Sequence, residues 1–168
     1  MSTTYAMTCE LDLPLAQALH TLRDALTAEQ ITVVTEVDVQ AKLLAKLGVQ
    51  SHPQRLLGIC APGVVHALLS AESDIGALLP CGCGVSEAVP GRTRIALQDP
   101  RLIAVVSGNP KVRVACEKAS ASVRRVMDRL AASANCVAAL HESRHGATAG
   151  ASEQAPGHHP TPAKRCQS

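Results

Sequence analysis

Three thiols carry most of the chemistry this chain offers. Cys60 ends the run Leu57-Gly58-Ile59-Cys60 and precedes Ala61-Pro62, while Cys81 and Cys83 flank Gly82 directly after Leu78-Leu79-Pro80. A thiolate is a nucleophile and a soft ligand, one that selects copper(I), zinc or sulfane sulfur over hard cations. In an extended segment Cys81 and Cys83 point to one face, because strand side chains alternate with a period of two. That spacing suits shared coordination. Gly82 and Gly84 leave the opposite face bare, open to close approach by another backbone or a ligand. Cys60 lies between a strand and a helix that begins at Pro62. The N–H groups and dipole of such a helix start would stabilise a thiolate. A plainer reading stands beside this one: free cysteine is among the most buried residue types and packs as a small hydrophobe. A three-thiol metal site at Cys60, Cys81 and Cys83 requires Cys60 to lie beside the pair in space.

Other reactive groups are sparser. Cys116 falls on the apolar face of a long helix and reads as core, and Cys9 near the end of the first strand is ambiguous. Cys136 and Cys166, with His141, His145, His158 and His159, match no compact zinc signature. There is no G-x-S-x-G elbow, Walker A loop, G-x-G-x-x-G or H-E-x-x-H. His66, in the helix after Cys60, makes a Cys/His pair conceivable, although a surface histidine is the simpler account. Glu36 and Asp38 flank a strand-to-helix junction. Asp38 is explained as a helix cap; Glu36 is free to line a cleft.

The elements that must hold these residues follow from periodicity. Residues 3–10 read as a strand. Leu15, Leu19, Leu22 and Leu26, with Ala18 and Ala25, predict an amphipathic helix over about 13–29. Residues 31–37 are β-branched and read as a strand. Asp38 then caps a helix from Val39 to Leu47 that Gly48 stops, with Val39, Leu43 and Leu47 facing inward. Strands over 55–60 and 81–87 bracket the Pro62 helix, and Val89-Pro90-Gly91-Arg92 turns into a strand over 93–98. Asp99-Pro100 opens a short helix carrying Leu102, Val105 and Val106. Asn109-Pro110 opens the last helix, which runs to about Ala132 with Val112, Cys116, Ala119, Val123, Val126 or Met127, and Leu130 inward. Residues 1–133 therefore read as one α+β domain, and 134–168 as a disordered tail rich in Ala, Gly, Ser, Pro and His.

Composition narrows the partners. The 168 residues are 46% hydrophobic and 18% charged, with Tyr5 the only aromatic. The core must be aliphatic, and bases find no aromatic platform to stack on. A net charge of +2 is too weak to imply nucleic acid or an anionic membrane. Nothing at the N-terminus resembles a signal peptide, and no stretch approaches the ~20 apolar residues of a membrane helix. A cytoplasmic setting is the expectation, where seven cysteines would stay mostly reduced.

Several segments in order resemble the bacterial and archaeal family known as domain of unknown function 302: Thr35-Glu36-Val37-Asp38, the Leu47-Gly48 helix end, Leu57 to Pro62, Ile75 to Cys81, Asp99-Pro100 and the last helix. The likeness spans about 4–131. It implies a curved antiparallel sheet with helices on one side, TATA-binding-protein-like, in a small homodimer. It carries over Cys60, Cys81, Glu36 and Asp38, and supplies no activity. The chain departs from the family at Ala61, where Asn or His is usual, at Gly82, usually polar, and at Cys83, usually apolar. The expectation is a thiol site at Cys60, Cys81 and Cys83 for a soft metal, copper(I) or zinc, or for persulfide sulfur. The alternatives are a ligand-binding or protein-interaction module with structural cysteines, and an enzyme using Cys60 with Glu36 or His66.

Overall fold

Alternation along the strands decides which side of the sheet is covered. A computed structural model describes residues 5–146, and the side chains of residues 5–133. The elements run β1 (Ala6–Leu11), α1 (Leu15–Ala28), β2 (Thr32–Asp38), α2 (Val39–Leu47), β3 (Gln54–Cys60), α3 (Pro62–Ala71), a 3₁₀ helix (Ser73–Leu78), β4 (Cys81–Val89), β5 (Arg92–Gln98), α4 (Arg101–Ser107) and α5 (Pro110–Gly146). The strands form one sheet in the order β1-β5-β4-β3-β2, with each neighbouring pair antiparallel. The fold is the expected α+β arrangement, with helices packed on one side of an open sheet.

Leu57, Ile59, Cys83, Val85, Ile95 and Leu97 point to the covered side and are buried with Leu15, Leu22 and Leu26 of α1 and Val123, Val126 and Leu130 of α5. The core is aliphatic, as the lack of aromatics requires. A second cluster joins Leu68, Ile75, Ile103, Val112 and Cys116 from α3, the 3₁₀ helix, α4 and α5. Cys81 packs against both clusters, at the seam between them. Residues between the buried ones face the other way: Gly58 pairs with Gly82, and Leu56 with Gly84. Gly58 is a steric requirement. A Cβ there would meet Pro80 Cγ at 2.6 Å and the Thr35 hydroxyl closer still.

Two expectations change. The helix α2 forms where predicted: Asp38 accepts from the Ala41 N–H at 2.9 Å and Gly48 adopts φ +66. Yet it buries no residue, and Leu47, expected inward, is 68% exposed. The helix touches β3 and contributes no residue to either core cluster. The short helix α4 forms as expected, and the residue it buries is Ile103, which the reading left unassigned, while Leu102, Val105 and Val106 are exposed. The helix α5 continues through Gly146, into the segment read as tail; residues 147–168 lie outside the described residues. Among the described residues, no helix is long and apolar enough to cross a membrane.

Candidate functional site

The turn from β3 into α3 brings two of the predicted thiols to one place. Cys60 is the last residue of β3, and Ile59 beside it pairs across the sheet with Cys81, the first residue of β4. Cys60 and Cys81 both line a small cavity of about 50 Å³, walled by Ile31, Val64, Ile103 and Val123. The β2 edge fixes Cys60 from the other side: Thr32 Oγ1 donates to the Cys60 carbonyl at 3.1 Å. Both thiols are free and half-buried. Burial pushes the Cys81 thiol up to about 11, and the neighbouring Cys116 and Cys60 push in the same direction. Cys81 is therefore a protonated thiol at neutral pH.

A larger groove, about 940 Å³, lies between α3 and α5. It shares Ala61, Val64 and Ser122 with the thiol cavity, so the two adjoin. Small residues make it possible: Gly63 and Ala67 on α3 face Ala115 and Ser122 on α5. Lys111 and Lys118 line the same groove, both exposed. Its one carboxylate, Glu29, is held by Arg125 Nε at 2.8 Å and by Arg129 Nη2 at 3.5 Å. The α3 start has no side-chain cap, because Ala61 occupies that position.

The model of a family described as domain of unknown function DUF302 matches residues 7–130, from β1 to the buried Leu130 of α5. The chain belongs to this family. A crystal structure of an uncharacterized conserved DUF302 protein from Bacillus stearothermophilus matches with a TM-score of 0.69. It is 22% identical and covers 76% of this chain and 99% of its own. At that identity the likeness shows the fold alone. No curated protein matches.

The remaining predicted site residues of this DUF302 chain are placed elsewhere. Cys83 shares the inner face with Cys81, as alternation requires, but it sits deeper, between Leu57 and Leu97 on the adjacent strands. It is 2% exposed, and burial pushes its thiol up to about 12. Among the described residues no group of three or more His, Cys, Asp or Glu is placed to hold a metal. Cys60, Cys81 and Cys83 are thus not brought together as a three-thiol set. Cys83 is a core residue, and Cys116, buried as expected, is the further thiol that Cys81 senses. Cys9, also raised to about 11 by burial, packs beside the core.

Glu36 is held by ion pairs. The irregularity in the β2–β3 register after Val33 turns it toward α1, where Arg23 Nη2 reaches it at 2.5 Å and Arg55 Nε at 3.7 Å. Asp38 caps α2 and also pairs with Arg55 Nη2 at 2.8 Å. These acidic residues organise the β2–β3 edge. His66 is exposed and does not line the cavity that Cys60 and Cys81 share. The side chains of Cys136, Cys166 and the histidines from His141 onward lie outside the described residues.

Two anchoring carboxylates escaped the sequence reading. Asp99 is 4% exposed and accepts from the Arg101 N–H at 3.0 Å and from Arg101 Nε at 2.8 Å. Burial works to raise its carboxyl, but the Arg101 hydrogen bonds and charge outweigh it and hold it below the usual range. Glu87 accepts from the Leu15 N–H at 2.8 Å and the Gly91 N–H at 2.7 Å. Asp99-Pro100 did signal a helix start; nothing in the sequence linked Glu87 to α1.

Proposed function

We propose that Cys60 and Cys81 form a two-thiol binding site that takes up one soft guest, a copper(I) ion or a sulfane sulfur atom. The observation that carries this reading is the cavity the two cysteines share although they come from separate segments. Soft guests match thiols, and the apolar walls offer nothing to a hard cation. Zinc fits poorly: its structural sites take four ligands, and no third ligand group stands with these thiols among the described residues. A reducing, cytoplasmic setting suits the reading, since all five described cysteines are free.

The test is loading under argon. The reduced chain is offered copper(I) against a chromogenic chelator, and separately glutathione persulfide, and the retained guest is measured per chain. One guest should be retained: Cys60→Ser should lose either guest and Cys81→Ser should lose copper(I), while Cys83→Ala keeps both. Equal retention in all four proteins, or none in the unmodified chain, refutes the site.

A second reading, an interaction module whose partner is a second copy of the chain, is favoured by the exposed leucines of α2. Leu44 and Leu47 stand with Val49, Leu56 and Val34 at 48–68% exposure. Exposed apolar side chains in such number suit an interface. Sedimentation velocity should then give a dimer that Leu44→Lys with Leu47→Lys converts to a folded monomer.

A further inference from the structure

The groove outside the thiol cavity has a charge, and that charge discriminates between the two guests. Lys111 and Lys118 line it, and neither forms an ion pair among the described residues. Glu29, its single carboxylate, is already matched by Arg125 and Arg129. The groove is therefore net positive, and a cleft lined by one sign of charge concentrates ligands of the other sign. Cys60 is the thiol closest to it in connectivity. Thr32, its cross-strand partner, and Ala61, its chain neighbour, both line the groove.

We infer that the groove delivers an anionic low-molecular-weight persulfide to Cys60, which accepts the donor's outer sulfur. This rests on the two-thiol site proposed above and names its guest. A copper(I) cation approaching by this route would meet the same field with the opposite sign. The groove, about 940 Å³, accommodates a donor the size of a small peptide thiol. The adjoining cavity, about 50 Å³, has room for little more than the transferred atom.

The chemistry is a thiol exchange at sulfur. The Cys60 thiolate attacks the outer sulfur of R–S–SH. A new sulfur–sulfur bond forms to Cys60, the bond between that sulfur and the donor's R–S breaks, and R–S⁻ leaves with the electron pair. The products are Cys60–S–SH and the donor thiolate, which takes a proton from solvent. No oxidant or reductant is consumed. Cys81 has a distinct part. Attack by its thiolate on Cys60–S–SH would form a Cys60–Cys81 disulfide and discharge hydrosulfide. Burial keeps Cys81 protonated, and a thiol is a poor nucleophile, so the bound sulfur is held.

The test compares charge at constant chemistry. Reduced full-length chain is treated with neutral, anionic and cationic methanethiosulfonates, and separately with glutathione persulfide, and labelling of Cys60 is timed by mass spectrometry. Rates are normalised to those of a free thiol. The anionic reagent should outpace the cationic one by about tenfold. Lys111→Glu with Lys118→Glu should reverse that order and slow sulfur transfer from glutathione persulfide by about tenfold, leaving the neutral reagent unchanged. A cationic reagent as fast as the anionic one, or persulfide transfer unaffected in the double variant, overturns the inference. If the neutral reagent labels Cys60 no faster than buried Cys83, the two-thiol site itself falls, and the inference with it.

Discussion

Replacing Cys83 separates core packing from chemistry. Its side chain is 2% exposed, lies between Leu57 and Leu97 across the sheet, and meets the residues of α1 and α5 that close the main core. Cys83→Ala removes one heavy atom from a packed site, a loss of about 1 kcal/mol in transfer and cavity terms. Cys83→Ser keeps a heavy atom at the position, smaller than sulfur, but places a hydroxyl among apolar neighbours, at a cost of about 1–3 kcal/mol where no partner is available. Serine should therefore be worse than alanine, although it is nearer in shape. For a domain of this size the serine variant should melt several degrees lower, at about 2–4 °C per kcal/mol. Urea denaturation is the assay, with the midpoint falling at constant slope. Guest retention at Cys60 and Cys81 should be unchanged in both variants. A Cys83→Ser protein as stable as the parent but unable to retain its guest would refute the core assignment.

Three other outcomes are expected. Asp99→Asn keeps a cap acceptor but loses the charge that Arg101 compensates; since Arg101 is half exposed, the cost at neutral pH should be about 1 kcal/mol. The parent carboxyl is held low when folded, so its contribution is complete above the unfolded value near ~4 and fades as pH falls through the folded value. Urea midpoints of parent and variant should therefore converge in acid; a gap as wide at low pH as at neutrality would contradict this. Gly58→Ala forces a methyl against Pro80 and Thr35 and should cost about 1–3 kcal/mol, with weaker guest retention because Pro80 adjoins Cys81. Glu36→Gln loses partly exposed ion pairs with Arg23 and Arg55 and should cost no more than about 1 kcal/mol, less in high salt; a loss of guest retention without a stability change would show that Glu36 serves the site directly.

Much of the frame was legible because local signals agree with the tertiary fold. The leucine stripe of α1, the Asp38 cap, the Gly48 stop and the Asn109-Pro110 start each act within a few residues. The family motifs carried the strand arrangement. What could not be read depends on partners far along the chain. Cys83 and Cys116 are both cysteines in apolar surroundings. That Cys83 joins Cys116 in the core, while Cys81 lines the cavity, is decided only when β4 pairs with β3 and β5 on its two sides. Glu36 finds Arg23 through a shift in strand register that no spacing announces. The stripe on α2 has the right period for a core helix, but period says only that one face is apolar. It does not say what covers it.

The Glu87 carboxylate ties the first helical N–H of α1 to a hairpin 72 residues later in the chain. Thr93 holds the same corner, its hydroxyl donating to the Leu13 carbonyl at 2.7 Å, and β1 pairs only with β5. During synthesis the first strand and helix emerge with none of these partners yet made. They must wait, unpaired, until the β4–β5 hairpin has left the ribosome. Closure of the domain is thus a late event of high contact order, and the residues that permit it are those of the hairpin rather than those of the segments that come first.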